Sequence, residues 1–147
     1  MASEQTQNYS NHARFVPGFH MVLFGLIALG FIGSCVNLYS SFGDHQRIYS
    51  ASLIVVLEIV ALLLAYFCRT FALKAQDRAI RAEENLRHFV LAGKLLDSRL
   101  SVHQIVALRF ASDPEFAELA ARAAEQNLPS KAIKQAIKNW RADYYRV

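Results

Sequence analysis

The sequence predicts an all-α membrane protein: a transmembrane helical hairpin whose second helix extends into a cytoplasmic stalk, followed by a small cluster of short helices. Three observations carry this. Phe19 to Phe42 and Ile48 to Phe67 are apolar stretches close to or above the roughly 20 residues that cross a ~30 Å hydrocarbon core. Only Gly43-Asp44-His45-Gln46-Arg47 separates them, too short a link for two spans to part, so they pair as an antiparallel hairpin. From Ser50 through Val90 there is no Pro or Gly, and nothing stops the second helix where its apolar run ends. The chain then divides into a cytoplasmic N-terminal segment (1–18), a first transmembrane helix (19–42), an external turn (43–47), a second transmembrane helix (48–68), a cytoplasmic helical stalk (69–92) and a small cytoplasmic helical module (93–147).

Basic residues set the orientation. Arg14 alone precedes the first span and Arg47 lies in the turn, while the other fourteen Lys and Arg follow Cys68. Arg69, Lys74, Arg78 and Arg81 flank the second span, and basic flanks stay on the inner side, so both termini are expected in the cytoplasm. Tyr39, Phe42 and Tyr49 then form the aromatic belt of the outer surface. Ile32-Gly33-Ser34-Cys35 resembles a lipoprotein cleavage box, but the apolar run is longer than a signal peptide's 7–15 residues. Cys35 and Cys68 fall toward opposite ends of the hairpin and are expected as small packing residues, not a disulfide.

Glu58 stands near the middle of the second span. A carboxylate there costs a few kcal/mol, roughly what intramembrane Asp does, and the surrounding Leu, Ile, Val and Phe offset it. The acid must face protein or water, and Ser34 and Asn37 of the first span, on a ridge with Gly30 and Ser41, are the expected partners. A register-fixing hydrogen bond is one role, proton or ion handling a second and a ligand contact a third.

The second helix also carries a heptad seam of mostly small residues, Ala61, Ala65, Cys68, Ala72, Ala75, Ala79, Ala82, Leu86 and Phe89. Small side chains let two helix backbones approach closely. The seam predicts packing against another subunit or the same chain.

Beyond Phe89 the long helix is expected to fail near Gly93, Leu91 to Leu100 reads as a connector, and three short helices follow. Ser101 and Gln104 make a capping box. Asp113-Pro114 reads as N-cap and first-turn proline of a helix whose apolar side is Phe116, Leu119, Ala120 and Ala123. Pro129-Ser130 restarts the chain into a helix with Ile133, Ala136, Ile137, Trp140 and Tyr144 on one face and Lys131, Lys134, Lys138 and Arg141 on the other. That basic face is a candidate binding site for anionic partners, with lipid headgroups favoured over RNA. So small a cluster needs to dock on the stalk or on a neighbour.

Catalytic, cofactor and metal sites are not expected. His12, His20, His45, His88 and His103 have no ligand-like spacing, and no phosphate loop or nucleophile elbow occurs. Four strings carry a resemblance: Asn11-His12-Ala13-Arg14-Phe15-Val16-Pro17, Arg69 through Arg78, Ala107 through Asp113, and Lys131 through Trp140. By these the chain resembles an uncharacterised family of small bacterial two-span membrane proteins, known as a domain of unknown function. The resemblance implies a bacterial inner (cytoplasmic) membrane and brings no activity. The leading expectation is a non-enzymatic structural protein in the lipid bilayer, assembling as a homo-oligomer or as a subunit of a larger membrane complex. The alternatives are an oligomeric proton or ion pathway around Glu58 and, more weakly, a membrane-tethered binding module for anionic lipid or RNA.

Overall fold

The computed structural model describes residues 7–144, all helix, turn and loop apart from one isolated β-bridge. The fold consists of two compact units, residues 15–71 and residues 7–14 with 72–144.

In the first unit, a π-helical turn (Gly18–Leu23) leads into α1 (Phe24–Ser40), and α2 begins at His45. The helix therefore starts one residue earlier and ends two earlier than the sequence led us to expect, and the link narrows to four residues. Gly43 turns the chain at φ +94°, a conformation that favours glycine. Asp44 then caps α2, its carboxylate accepting from the N–H groups of Gln46 at 3.0 Å and Arg47 at 3.2 Å.

Two cross-helix approaches fix the antiparallel register. The Arg69 guanidinium lies over the Phe19 ring at 5.5 Å. The Glu58 carboxyl lies against Gly30, where an added Cβ would stand 2.5 Å from Oε1. Both fit one register, since Phe19 to Gly30 spans eleven residues and so does Glu58 to Arg69. Ile27 and Ser34 of α1, its C-cap Ser41, and Ala51 and Ala65 of α2 are buried, all but Ile27 small. Small side chains at these positions let the helices approach closely. Both helices are long and apolar enough to cross a membrane.

The second unit is built on the C-terminal part of α2 (His45–Ala92). Gly93 ends that helix at φ +70°, its N–H donating to the Phe89 carbonyl. The chain then folds back along the helix it has left. Asn85 accepts from the Leu96 N–H at 3.2 Å, and His88 Nδ1 lies 2.6 Å from the Lys94 carbonyl oxygen. α3 (Val102–Leu108) starts with the expected Ser101–Gln104 capping box, and Gln104 also donates to the Leu128 carbonyl at 2.9 Å. α4 (Asp113–Glu125) starts one residue before the expected site: Ser112 is the N-cap, and Glu115 closes a second capping box. α5 covers only Ser130–Ala136. Leu108, Phe110, Phe116 and Ile133 are the large side chains fully enclosed by the three helices. Against this core α2 contributes buried Ile80, Glu84 and His88, so the small cluster does dock on the stalk.

Candidate functional site: an ion-paired cleft and an open stalk face

Two surfaces of the second unit hold its charged and unpartnered residues. The first is built around Arg87. Its guanidinium donates to Glu84 at 2.9 Å, to Asp113 at 2.6 and 2.8 Å and to the Ala111 carbonyl at 2.7 Å, and it stacks on Phe116 at 4.2 Å. These contacts use nearly the whole fork of donors, which makes Arg87 a rivet between stalk and module. Arg141 approaches Glu84 from the opposite side at 3.5 Å. Arg109 Nε stands 3.2 Å from Asp143, and its guanidinium lies over Phe110.

The N-terminal segment completes this region. Asn8 organises a turn by accepting from the Ser10 N–H. Gln7 and Asp143 exchange a pair of bonds, and Arg14 donates to the Tyr144 carbonyl at 2.8 Å. His12 lies among Tyr9, Phe110 and Trp140, with Nε2 3.0 Å from the Lys134 ammonium. A cleft of about 580 Å³ is left between this N-terminal strap, the stalk and the C-terminal segment, with Arg14, Arg109 and Arg141 among its lining beside Glu83, Glu84 and Asp143. Positive and negative groups balance in it.

The second surface is the seam side of α2. Ala75, Ala79, Ala82, Leu86 and Phe89 are all exposed. At 100° per residue they lie roughly opposite the buried Ile80, Glu84 and His88. Leu86 is 64% exposed, Phe89 52% and the neighbouring Val90 75%. Large exposed apolar side chains clustered on a charged unit are the informative exception among surface residues.

The expected site residues divide accordingly. Among the described residues no hydrogen bond joins Ser34 or Asn37 to Glu58. In the observed register Gly30 is opposite the acid, and Ser34 lies one helical turn further along. The Ser34 hydroxyl donates to the Phe31 carbonyl of its own helix at 2.8 Å, and Asn37 is exposed. The seam is split: Ala65 is buried and Ala61 and Ala72 half-buried, while Cys68 and the positions from Ala75 onward are open.

The basic face at the C-terminus does not exist as one surface. Ile137 is extended at ψ 123°, so α5 ends before Lys138 and Arg141 can join Lys131 and Lys134 on a helix. The cause is local. Glu115 accepts from the N–H groups of Lys138 and Asn139, both at 3.0 Å, and Trp140 pairs with Ala111. Strand-like bonds follow, from Ser112 N–H to the Asn139 carbonyl and from Arg141 N–H to the Phe110 carbonyl at 2.7 Å. The four basic residues then take separate roles, with Lys134 at His12, Arg141 at Glu84, and Lys131 and Lys138 exposed.

The residues sequence reasoning missed are Glu84, Arg87, Arg109, Glu115 and Asp143. Only Glu115 announced itself, as the fourth residue of Ser112-Asp113-Pro114-Glu115. Burial raises the pKa of Glu115, but the N–H groups of Lys138 and Asn139 and the N–H and hydroxyl of Ser112 outweigh it and hold the carboxyl below its usual range. On the exposed connector the Arg99 side chain and N–H, bonded to Asp97, lower that carboxyl to about 2. Among the described residues no three His, Cys, Asp or Glu side chains come together as a metal site.

Residues 1–147 match the model of the Family of unknown function (DUF6526), and the chain belongs to that family. No curated protein and no solved structure matches.

Proposed function

We propose that this member of a family without an assigned activity is a non-enzymatic assembly protein of the bacterial inner membrane. The α1–α2 hairpin anchors it, both termini are cytoplasmic, and the docked helical module braces a stalk whose seam face is free to bind protein. The carrying observation is that open face: Leu86, Phe89 and Val90 stay exposed although the chain's own module packs on the other side of the same helix. The ion-paired cleft supports a bracing role for the rest of the unit, because its three arginines are engaged with Tyr144, Asp143 and Glu84.

The test is the mass of the particle in mild detergent, measured by light scattering for wild type and for the double variant Ala82→Glu, Leu86→Glu. Both positions are exposed and Glu is a good helix former, so the variant should keep the fold. Wild type is expected to run as more than one chain, or with a co-purifying membrane partner, and the variant as a single chain. A wild type that is alone and monomeric, or a variant that assembles as wild type does, defeats the reading.

A further inference from the structure

We infer that the stalk face binds a second copy of this chain, with the two α2 helices parallel and in register along Ala75–Phe89. The inference rests on the proposed membrane assembly role and names its partner and geometry. Copies inserted the same way in one membrane emerge with their stalks pointing in one direction, so a pairing between stalks is parallel.

The heptad supplies the rest. With Ala72, Ala79 and Leu86 at position a and Ala75, Ala82 and Phe89 at position d, the flanking g position of one heptad is Arg78 and the e position of the next is Glu83. In a parallel, in-register pair, g of one helix meets the following e of the other. Arg78 of each copy therefore faces Glu83 of its neighbour, once on each side of the seam. Both residues are exposed, and neither makes a hydrogen bond or ion pair among the described residues. Their charges are complementary in this arrangement, and Glu83, which also borders the ion-paired cleft, is bonded to none of the arginines there. The alanines allow close approach, and the larger Leu86 and Phe89, with Val90 at e, supply apolar area at the far end of the seam.

Disulfide scanning in native membranes tests the geometry. In full-length protein with Cys35→Ser and Cys68→Ser, single cysteines are placed at Ala75, Ala82, Lys74 and Arg81 and oxidised. The d-position variants Ala75→Cys and Ala82→Cys should cross-link to dimers, and Lys74→Cys and Arg81→Cys should not. Charge exchange is the second arm. Arg78→Glu or Glu83→Arg alone should weaken dimerisation about tenfold, and the double exchange should restore it. Protein that still assembles but cross-links without this periodicity, or a double exchange that does not rescue, overturns the parallel pairing and leaves the assembly role standing. A monomeric wild type overturns both.

Discussion

Glu58 shows how much one residue's register decides. Its carboxyl occupies the space a side chain on Gly30 would need, whereas Gly33, three residues on, has nothing within 4 Å of an added Cβ. The contrast makes a controlled experiment. Gly30→Leu should force the helices apart and lower the thermal stability of the detergent-solubilised protein, by about 1–3 kcal/mol as overpacking does. Gly33→Leu should leave stability within about 0.5 kcal/mol of wild type. Equal losses in the two variants would mean that the carboxyl does not rest on Gly30. Apolar length and polar rarity made Glu58 conspicuous in the sequence. Its neighbour was not legible, because a shift of one helical turn exchanges Ser34 for Gly30 and the four-residue link leaves that shift undetermined.

At the scale of elements, local chemistry was readable and long-range competition was not. The hairpin, the helix running on to Gly93 and the Ser101 capping box follow from apolar length, the absence of breakers and short-range bonding. α5 was misread because Ile133, Ala136, Ile137, Trp140 and Tyr144 do recur at helical spacing. A carboxylate more than twenty residues upstream outweighs that pattern by accepting two backbone N–H groups just after the last turn. Glu115→Gln should therefore destabilise the module by about 2 kcal/mol at neutral pH, since it weakens hydrogen bonds to a charged acceptor. The sign of the pH dependence follows from the lowered pKa. The bonded carboxylate adds stability above its unfolded value, near 4.5, and loses it as pH falls through the folded value. Chemical denaturation of both proteins at pH 7 and pH 3 should show the gap between them closing at the acid end. A gap that stays constant would assign the loss to packing.

For the whole molecule the proposed membrane topology is the point to test. The N-terminal segment and the C-terminal module form one unit, so the chain leaves it through the hairpin and comes back to it. In the proposed topology the hairpin crosses twice and returns both ends to one side, as the cationic bias after Cys68 leads one to expect. In protein lacking Cys35 and Cys68, a membrane-impermeant thiol reagent on intact cells should modify His45→Cys in the turn and leave Glu118→Cys on exposed α4 unmodified until the cells are opened. Labelling of Glu118→Cys in intact cells would reverse the orientation.

The strap that ties Gln7 and Arg14 to Asp143 and Tyr144 joins residues 130 or more positions apart. A ribosome makes the first of these long before the last. While α3 and α4 are still emerging, Gln7 and Arg14 lack these partners, because the backbone they bind has not been polymerised. These bonds therefore close late in synthesis, after His12 has already been offered Phe110, Lys134 and Trp140, and a chain cut short before Asp143 lacks them.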